Sequence, residues 1–227
     1  MMSLTLEQLD RDGAIREAVE KASGDTRAAF LGKAVVGGAA LLGALAAPGS
    51  GEAATAKSDV AILNYALTLE YLQASFYTEA ERLGAIKGKL APIPPQLGAV
   101  ERAHVQAIKA ALGRAAVKRP AFDFHGVTEN NSKFLKTAVA FEDLGTAAYK
   151  AQAARIKSPA LLAAAISIHS VEARHAAWMR FLAGAMPAAS AFDEGKPISQ
   201  VRAIVASTHF VAARPKSRSR KKPKFTG

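Results

Sequence analysis

The chain contains no cysteine among its 227 residues. This absence excludes disulfides, thiolate nucleophiles, iron–sulfur clusters and cysteine-based zinc ribbons. The Gly- and Ala-rich apolar run over residues 34–47 is 14 residues long, which is too short for a transmembrane helix of about 20 residues. Acidic residues are missing from the last segment, where residues 214–224 supply +7 of the net charge of +11.

The apolar run over residues 34–47 resembles the core of an export signal. Ahead of it, residues 26–33 resemble a twin-arginine motif in which Ala28 replaces the second arginine. Small residues suited to cleavage follow at residues 44–46 and 54–56. We therefore expect residues 1–56 to be a leader and the protein to be exported to the periplasm or cell envelope. The alternative is an uncleaved apolar helix in a cytosolic protein.

The basic tail over residues 214–227 predicts an affinity for polyanions, because clustered lysine and arginine attract phosphate polymers. Nucleic acid would be the partner in the cytosol, and anionic envelope polymers or lipid headgroups would be the partners after export. A disordered, solubilising tail explains the same composition.

Four long helices are predicted between the leader and residue 185. Apolar and small residues recur at helical spacing over residues 56–83, 94–113, 131–157 and 158–184. Pro94 and Pro95 suit a first helical turn, and Ser158 followed by Pro159 suits a cap and first residue. Residues 186–198 are predicted to be a loop, and Ser199 to Val211 a short additional helix.

The connections between these helices predict the topology. Helices one and two are joined by about 10 residues, and helices three and four follow each other directly, so each pair must be antiparallel. The roughly 18 residues from Arg114 to Asn131 can cross the length of a bundle, since an extended chain spans about 3.3 Å per residue. The fold class is therefore all-α, an antiparallel four-helix bundle over residues 57–185 with one long crossover. A C-terminal region follows over residues 186–213.

A repeated pattern of charged residues lies on the inner faces of these helices. Each of two Glu-x-x-His steps is preceded by a lone glutamate about 30 residues upstream. Residues three apart share a helix face, so each step directs a carboxylate and an imidazole to one point. Buried charges need a partner or a metal, and oxygen with imidazole donors suits iron or manganese. The predicted metal ligands are Glu70, Glu101, His104, Glu142, Glu172 and His175. A metal-free polar network of the same six residues is the alternative.

The stretches ILNYALTLEYLQASFY, ERAH and VEARHAAWMRFL resemble those of ferritin-like di-iron carboxylate proteins, a group that includes exported and desiccation-related members. The pattern of four glutamates and two histidines is similar to that of bacterioferritins and of the rubrerythrin core. The resemblance implies that Glu70 with His104 holds one metal and Glu142 with His175 the other. It also implies that Glu101 and Glu172 bridge the two metals.

Three further residues are candidates for contacts around the metals. Tyr77 and Tyr149 each lie seven residues, about two helical turns, after a lone glutamate. In similar ferritin sites a tyrosine at the first position bonds a ligand or donates an electron, although a core aromatic residue explains both. His169 precedes Glu172 by one turn and could orient a ligand, or could simply pack in the bundle.

The function expected from the resemblance is oxidation of Fe(II) by O₂ or peroxide at a pair of divalent metal ions, with iron as the expected metal. Manganese-dependent peroxide dismutation needs the same ligand types. A third interpretation is a non-enzymatic protective protein whose metals only stabilise the bundle. A rubrerythrin-type electron relay within one chain is excluded, because no Cys-x-x-Cys module is present. A homo-oligomer is possible.

Overall fold

The computed structural model describes residues 56–212. The predicted leader over residues 1–56, apart from Ala56, and the basic tail over residues 214–227 lie outside the described residues, so export and polyanion binding stay predictions. Within the described part of the chain, no helix combines the length and apolar composition that crossing a membrane requires.

The described chain is helical and contains no β-strand, apart from one isolated antiparallel bridge between Phe122 and Val211. Four long helices are followed by a shorter one: α1 (Lys57–Leu83), α2 (Ile93–Leu112), α3 (Asn131–Ala153), α4 (Pro159–Leu182) and α5 (Ile198–Ser207). Helix α1 packs along α2, and α3 packs along α4. The prediction of an all-α bundle of four long helices is confirmed.

The helix starts follow local sequence signals. Helix α2 begins with Pro94 and Pro95 in its first turn, where a missing amide proton is tolerated. The Asn130 side chain caps α3 by accepting from Lys133 N at 3.0 Å. The Ser158 hydroxyl caps α4 by accepting from Leu161 N at 3.4 Å. Each side chain satisfies an amide that has no partner within its helix.

Two helix ends differ from the sequence prediction. Helix α3 stops at Ala153 rather than near Lys157, because the amides of Lys157 and Ser158 turn to the buried carboxylate of Asp59 at 2.9–3.2 Å. Helix α5 covers Ile198–Ser207 rather than Ser199–Val211. The chain beyond it pairs with the crossover, where Asp123 N donates to Phe210 O and Ala212 N donates to Ala121 O, both at 2.9 Å.

The crossover between α2 and α3 runs along α1, as the connection lengths predict. The Asn64 side chain, near the start of α1, bonds Ala115 O at 2.9 Å and Val117 N at 2.8 Å. Glu79, near the end of α1, accepts from the Thr128 hydroxyl at 2.7 Å. The crossover therefore follows α1 for most of its length, and α2 and α3 are parallel.

Two apolar clusters occupy the two ends of the bundle. The first is rich in aromatic residues and joins the C-terminal half of α1 to the N-terminal halves of α2 and α3, with Phe76 at its centre and Phe124 and Phe210 covering it. The second joins the opposite halves through mainly aliphatic side chains such as Leu67, Ile108 and Leu161. This pairing of halves shows that α1 is antiparallel to both α2 and α3.

Candidate metal centre

All six predicted ligands lie in one layer at the middle of the four long helices, between the two apolar clusters. The four glutamates are 0% exposed, and the two histidines are 8% exposed. Helix α1 supplies Glu70 and α3 supplies Glu142, while α2 and α4 each supply one glutamate and one histidine three residues apart: Glu101, His104, Glu172 and His175.

Each imidazole faces several carboxylates at short distance. His104 Nδ1 lies 3.3 Å from Glu70 Oε2, 3.5 Å from Glu101 Oε2 and 3.1 Å from Glu172 Oε1. His175 Nδ1 lies 3.1 Å from Glu101 Oε1 and 3.5 Å from Glu142 Oε2. The two oxygens of Glu101 therefore face different histidines.

The side chains form two sets of four whose potential ligand atoms lie within 4.8 Å of one another. Glu70 and His104 belong to the first set, called here the first position, and Glu142 and His175 to the second set, called here the second position. Both sets contain Glu101 and Glu172. The structure thus brings the six residues together in the division that the family resemblance implies.

Six buried atoms of this layer have no hydrogen-bond partner among residues 56–212. They are Glu70 Oε2, both carboxylate oxygens of Glu101, Glu172 Oε1, and Nδ1 of His104 and His175. The imidazole and carboxylate atoms among them lie 3.1–3.5 Å apart, which is ion-pair distance, but they do not meet hydrogen-bond geometry. A buried polar atom without a partner costs about 1–3 kcal/mol. Divalent cations coordinated by these oxygen and nitrogen atoms would remove that cost, so the residues fit the metals that the fold implies.

The burial of so many acidic groups shifts their protonation. Desolvation raises the pKa of Glu70 to about 7, although His104 opposes the shift. The pKa of Glu172 is raised well above its ordinary value by desolvation and by the charges of Glu101 and Glu70. Without a cation, the layer holds protons that solvated carboxyl groups would release at neutral pH.

The histidines hold protons as well. Desolvation would lower the pKa of the His175 imidazole, but Glu101 and Glu142 outweigh it and raise that pKa to about 10. Carboxylates likewise raise the pKa of His104 above its ordinary value, against desolvation. Desolvation would raise the pKa of Glu101, but its two imidazole neighbours hold it below the ordinary range. Since metal ligands bind deprotonated, a cation entering this layer must displace protons.

The two candidate tyrosines connect the lone glutamates of α1 and α3 reciprocally. The Tyr77 hydroxyl, on α1, donates to Glu142 Oε1 on α3. The Tyr149 hydroxyl, on α3, donates to Glu70 Oε1 on α1 at 2.5 Å. Both rings are buried. Each tyrosine therefore fixes one oxygen of the glutamate on the opposite helix and leaves the other oxygen directed to the centre.

His169, the third candidate, has a different neighbour. Its Nε2 atom lies 4.0 Å from Asp193 Oδ2, in the loop after α4. Among residues 56–212, it forms no hydrogen bond to the six predicted ligands. A spacing of one turn from Glu172 therefore does not give His169 a hydrogen bond to that ligand.

The sequence analysis missed two residues of this layer. Gln73, which is 3% exposed, donates from Nε2 to Glu142 Oε2 at 3.3 Å and to Glu172 Oε2 at 3.2 Å. A Cβ atom added to Gly145 would lie 2.8 Å from Glu172 Oε2 and 3.3 Å from Gln73 Oε1. Both residues follow a lone glutamate by three positions, and that shared helix face is the signal that could have identified them.

Comparison with known proteins supports the family resemblance. A family model described as a ferritin-like domain matches residues 58–185. No curated protein matches the chain. The matched range includes the four long helices almost completely and all six side chains of the buried layer.

Proposed function

The chain belongs to the ferritin-like family, and on that premise we propose that its buried layer holds two divalent metal ions, with iron as the native metal. The proposed activity is oxidation of Fe(II) by dioxygen or peroxide in the handling of iron or oxidative stress. With peroxide, two Fe(II) ions are oxidised to Fe(III) while one peroxide and two protons yield two waters.

The observation that carries this proposal is the set of six inward-facing atoms without hydrogen bonds. Among the described residues these atoms meet one another as ion pairs at 3.1–3.5 Å, whereas a metal-free polar network would satisfy its buried atoms by hydrogen bonds. Glu70 with His104 would hold one ion and Glu142 with His175 the other. Glu101 and Glu172, which belong to both sets, would be shared.

The chemistry that the bound metals supply is redox chemistry, since two adjacent irons can exchange two electrons with an oxidant. The protein would contribute a dry site, because the glutamates are fully buried between two apolar clusters. Tyr77 and Tyr149 would hold the terminal carboxylates in place.

Elemental analysis of protein purified without added metal tests the first part of the proposal. We expect about two iron atoms per chain. Manganese at that stoichiometry, with oxygen evolution from peroxide, would replace the proposed activity by peroxide dismutation.

Fe(II) oxidation by the Glu101→Ala variant tests the second part, because Glu101 belongs to both positions. We expect rapid oxidation of added Fe(II) by peroxide or dioxygen to be lost while circular dichroism still shows a helical fold. Glu129→Ala, which removes an exposed carboxylate, is the control and should oxidise Fe(II) like the unmodified protein. If Glu101→Ala changes only thermal stability and no turnover, the metals merely stabilise the bundle and the proposal is wrong.

A further inference from the structure

The two halves of the metal layer are repeats in sequence, but their donor atoms are not equally available. At the first position, four inward-facing atoms lack any hydrogen bond among the described residues: Glu70 Oε2, Glu101 Oε2, Glu172 Oε1 and His104 Nδ1. At the second position, only Glu101 Oε1 and His175 Nδ1 are in this condition. Both oxygens of Glu142 already accept hydrogen bonds, from Tyr77 and from Gln73.

Gln73 causes this difference. Its amide group is buried between α1, α3 and α4 and donates to one oxygen of Glu142 and one oxygen of Glu172. The orientation of the amide follows from its surroundings, because an amide oxygen at the same place would face two further oxygens. The polarised N–H bonds therefore compensate two buried carboxylates of the second position.

The repeat has no equivalent amide in its other half. Gln73 follows Glu70 by three residues on α1, and the residue that follows Glu142 by three on α3 is Gly145. Any side chain at residue 145 would begin 2.8 Å from Glu172 Oε2, so an amide on α3 would require the Glu172 carboxylate to move. The absence of a side chain at Gly145 leaves the space that the end of Gln73 approaches from α1.

We propose that Gln73 is a positioning residue that makes the two metal positions unequal, so that the first position binds a divalent cation more tightly than the second. This inference rests on the proposed two-metal function. A cation at the first position meets four donor atoms that form no hydrogen bond among residues 56–212 and that face one another as imidazole–carboxylate ion pairs. A cation at the second position must share two carboxylates with a hydrogen-bond donor whose partial positive charge faces it.

Titration of the metal-free protein with Mn²⁺, followed by calorimetry without oxygen, tests this inference. We expect two binding steps whose dissociation constants differ by about ten-fold or more, because hydrogen bonds to charged groups are stronger than those between neutral groups. Gln73→Leu keeps a side chain of similar volume and removes the amide. In that variant the second step should tighten and the first should stay unchanged, so that the ratio of the two constants falls several-fold.

Gln152→Leu is the matched control. Gln152 is also a buried glutamine, on α3, and among residues 56–212 it forms no hydrogen bond to the metal layer. The substitution should preserve the unmodified ratio, which separates loss of a buried polar group in general from loss of the Gln73 amide. Gln73→Asn retracts the amide by one methylene group and should also lower the ratio, so it decides the question if Gln73→Leu does not fold.

Two results would overturn the inference while leaving the proposed function intact. One is a pair of equal binding steps in the unmodified protein. The other is an unchanged or weaker second step after the Gln73 substitutions, which would mean that the amide assists cation binding. If the unmodified protein binds fewer than two Mn²⁺ ions, the two-metal function itself is wrong, and the inference about Gln73 fails with it.

Discussion

The α1–α2 half and the α3–α4 half of the bundle contribute the same residue types in the same order, but they treat their lone glutamates differently. Among residues 56–212, Glu142 accepts side-chain hydrogen bonds from Tyr77 and Gln73, whereas Glu70 accepts one from Tyr149. The difference arises at one pair of equivalent positions, Gln73 and Gly145. A repeated motif thus fixes which donor groups are present, and a single departure from the repeat decides how freely each can bind.

The halves also differ in how their helices are covered. Helix α1 buries residues along nearly its whole length, from Asp59 to Ala80. Helix α4 is apolar on several faces and exposes Ile166, Trp178 and Phe181. The α1–α2 half gains the crossover as a cover, through Asn64 and Thr128. The six predicted ligands are nevertheless buried to the same extent in both halves, since all four glutamates are 0% exposed and both histidines are 8% exposed.

Removal of one histidine at a time should produce the largest difference in Mn²⁺ affinity between the two positions. His104→Ala removes a donor from the first position alone, and His175→Ala removes one from the second alone. If the positions are unequal, His175→Ala should keep one tightly bound Mn²⁺, and His104→Ala should keep one bound about ten-fold more weakly. Calorimetric titration measures both constants, with His125→Ala, an exposed histidine, as the control. Equal affinities in the two variants would contradict the inequality.

Gly145→Ala should disturb the second position next most strongly. In an ordinary helix interior, Gly→Ala stabilises by about 0.5–1 kcal/mol. Here the new Cβ would lie 2.8 Å from Glu172 Oε2, so we expect a net loss of about 1–3 kcal/mol and a weaker second Mn²⁺ step. Denaturant unfolding of the metal-free protein measures the first effect. A stabilised variant with unchanged metal binding would show that Glu172 moves aside at little cost.

The pH dependence of the free energy of unfolding of the metal-free protein tests the raised pKa values in both halves. Glu70 has a pKa of about 7 in the folded state against an ordinary 4.5, and His175 has about 10 against 6.5. The folded state holds these protons where the unfolded state releases them, so their stabilising contributions decline as pH rises from about 4.5 to 7 and from about 6.5 to 10.

We therefore expect the free energy of unfolding of the metal-free protein to fall between pH 5 and 9, measured by denaturant titration. With Mn²⁺ bound, the ligands are deprotonated, so this decline should diminish, and Mn²⁺ affinity should increase with pH. A metal-free stability that rises over this range would show that the folded state does not retain the protons of Glu70 and His175.

The two tyrosine hydroxyls should give the smallest difference between the halves. Tyr149→Phe removes the hydrogen-bond donor that fixes Glu70, whereas Tyr77→Phe leaves Glu142 with the amide of Gln73. We expect Tyr149→Phe to cost about 1–3 kcal/mol in the metal-free protein and Tyr77→Phe less, since a buried charge without a partner is costly. Denaturant unfolding of both variants decides this. A larger cost for Tyr77→Phe would reverse the comparison.

Sequence reasoning worked best where the physics is local. Prolines in a first turn and the cap at Ser158 predicted the starts of α2 and α4, and the helical spacing placed the start of α3 at residue 131. It was less accurate for the end of α3, because the Asp59 carboxylate that captures the next amides comes from the start of α1. It also extended α5 too far, because the crossover, distant in sequence, pairs with residues 210–212.

In the candidate site too, helical spacing predicted some residues correctly and tertiary contacts decided the others. Helical spacing placed each glutamate and histidine of a Glu-x-x-His step on one face, and the structure brings all six predicted ligands together. The same helical spacing predicted that Tyr77 and Tyr149 lie near the metal ligands. The role of Gln73 was not, because a glutamine on an inner helix face has no fixed partner until three helices surround it. His169 is the opposite case, because it was a predicted candidate but its acidic neighbour is Asp193, in the loop after α4.

By itself, the sequence determined the donor groups, their order and their helix faces, because a periodicity of 3.6 residues acts within each helix regardless of its neighbours. It also determined the topology, through the lengths of the connections. Only the tertiary structure decided which carboxylate oxygens accept from Tyr77, Tyr149 and Gln73 and which stay free. That decision depends on distances of a few ångströms between side chains of different helices, and those distances are set by how the helices pack.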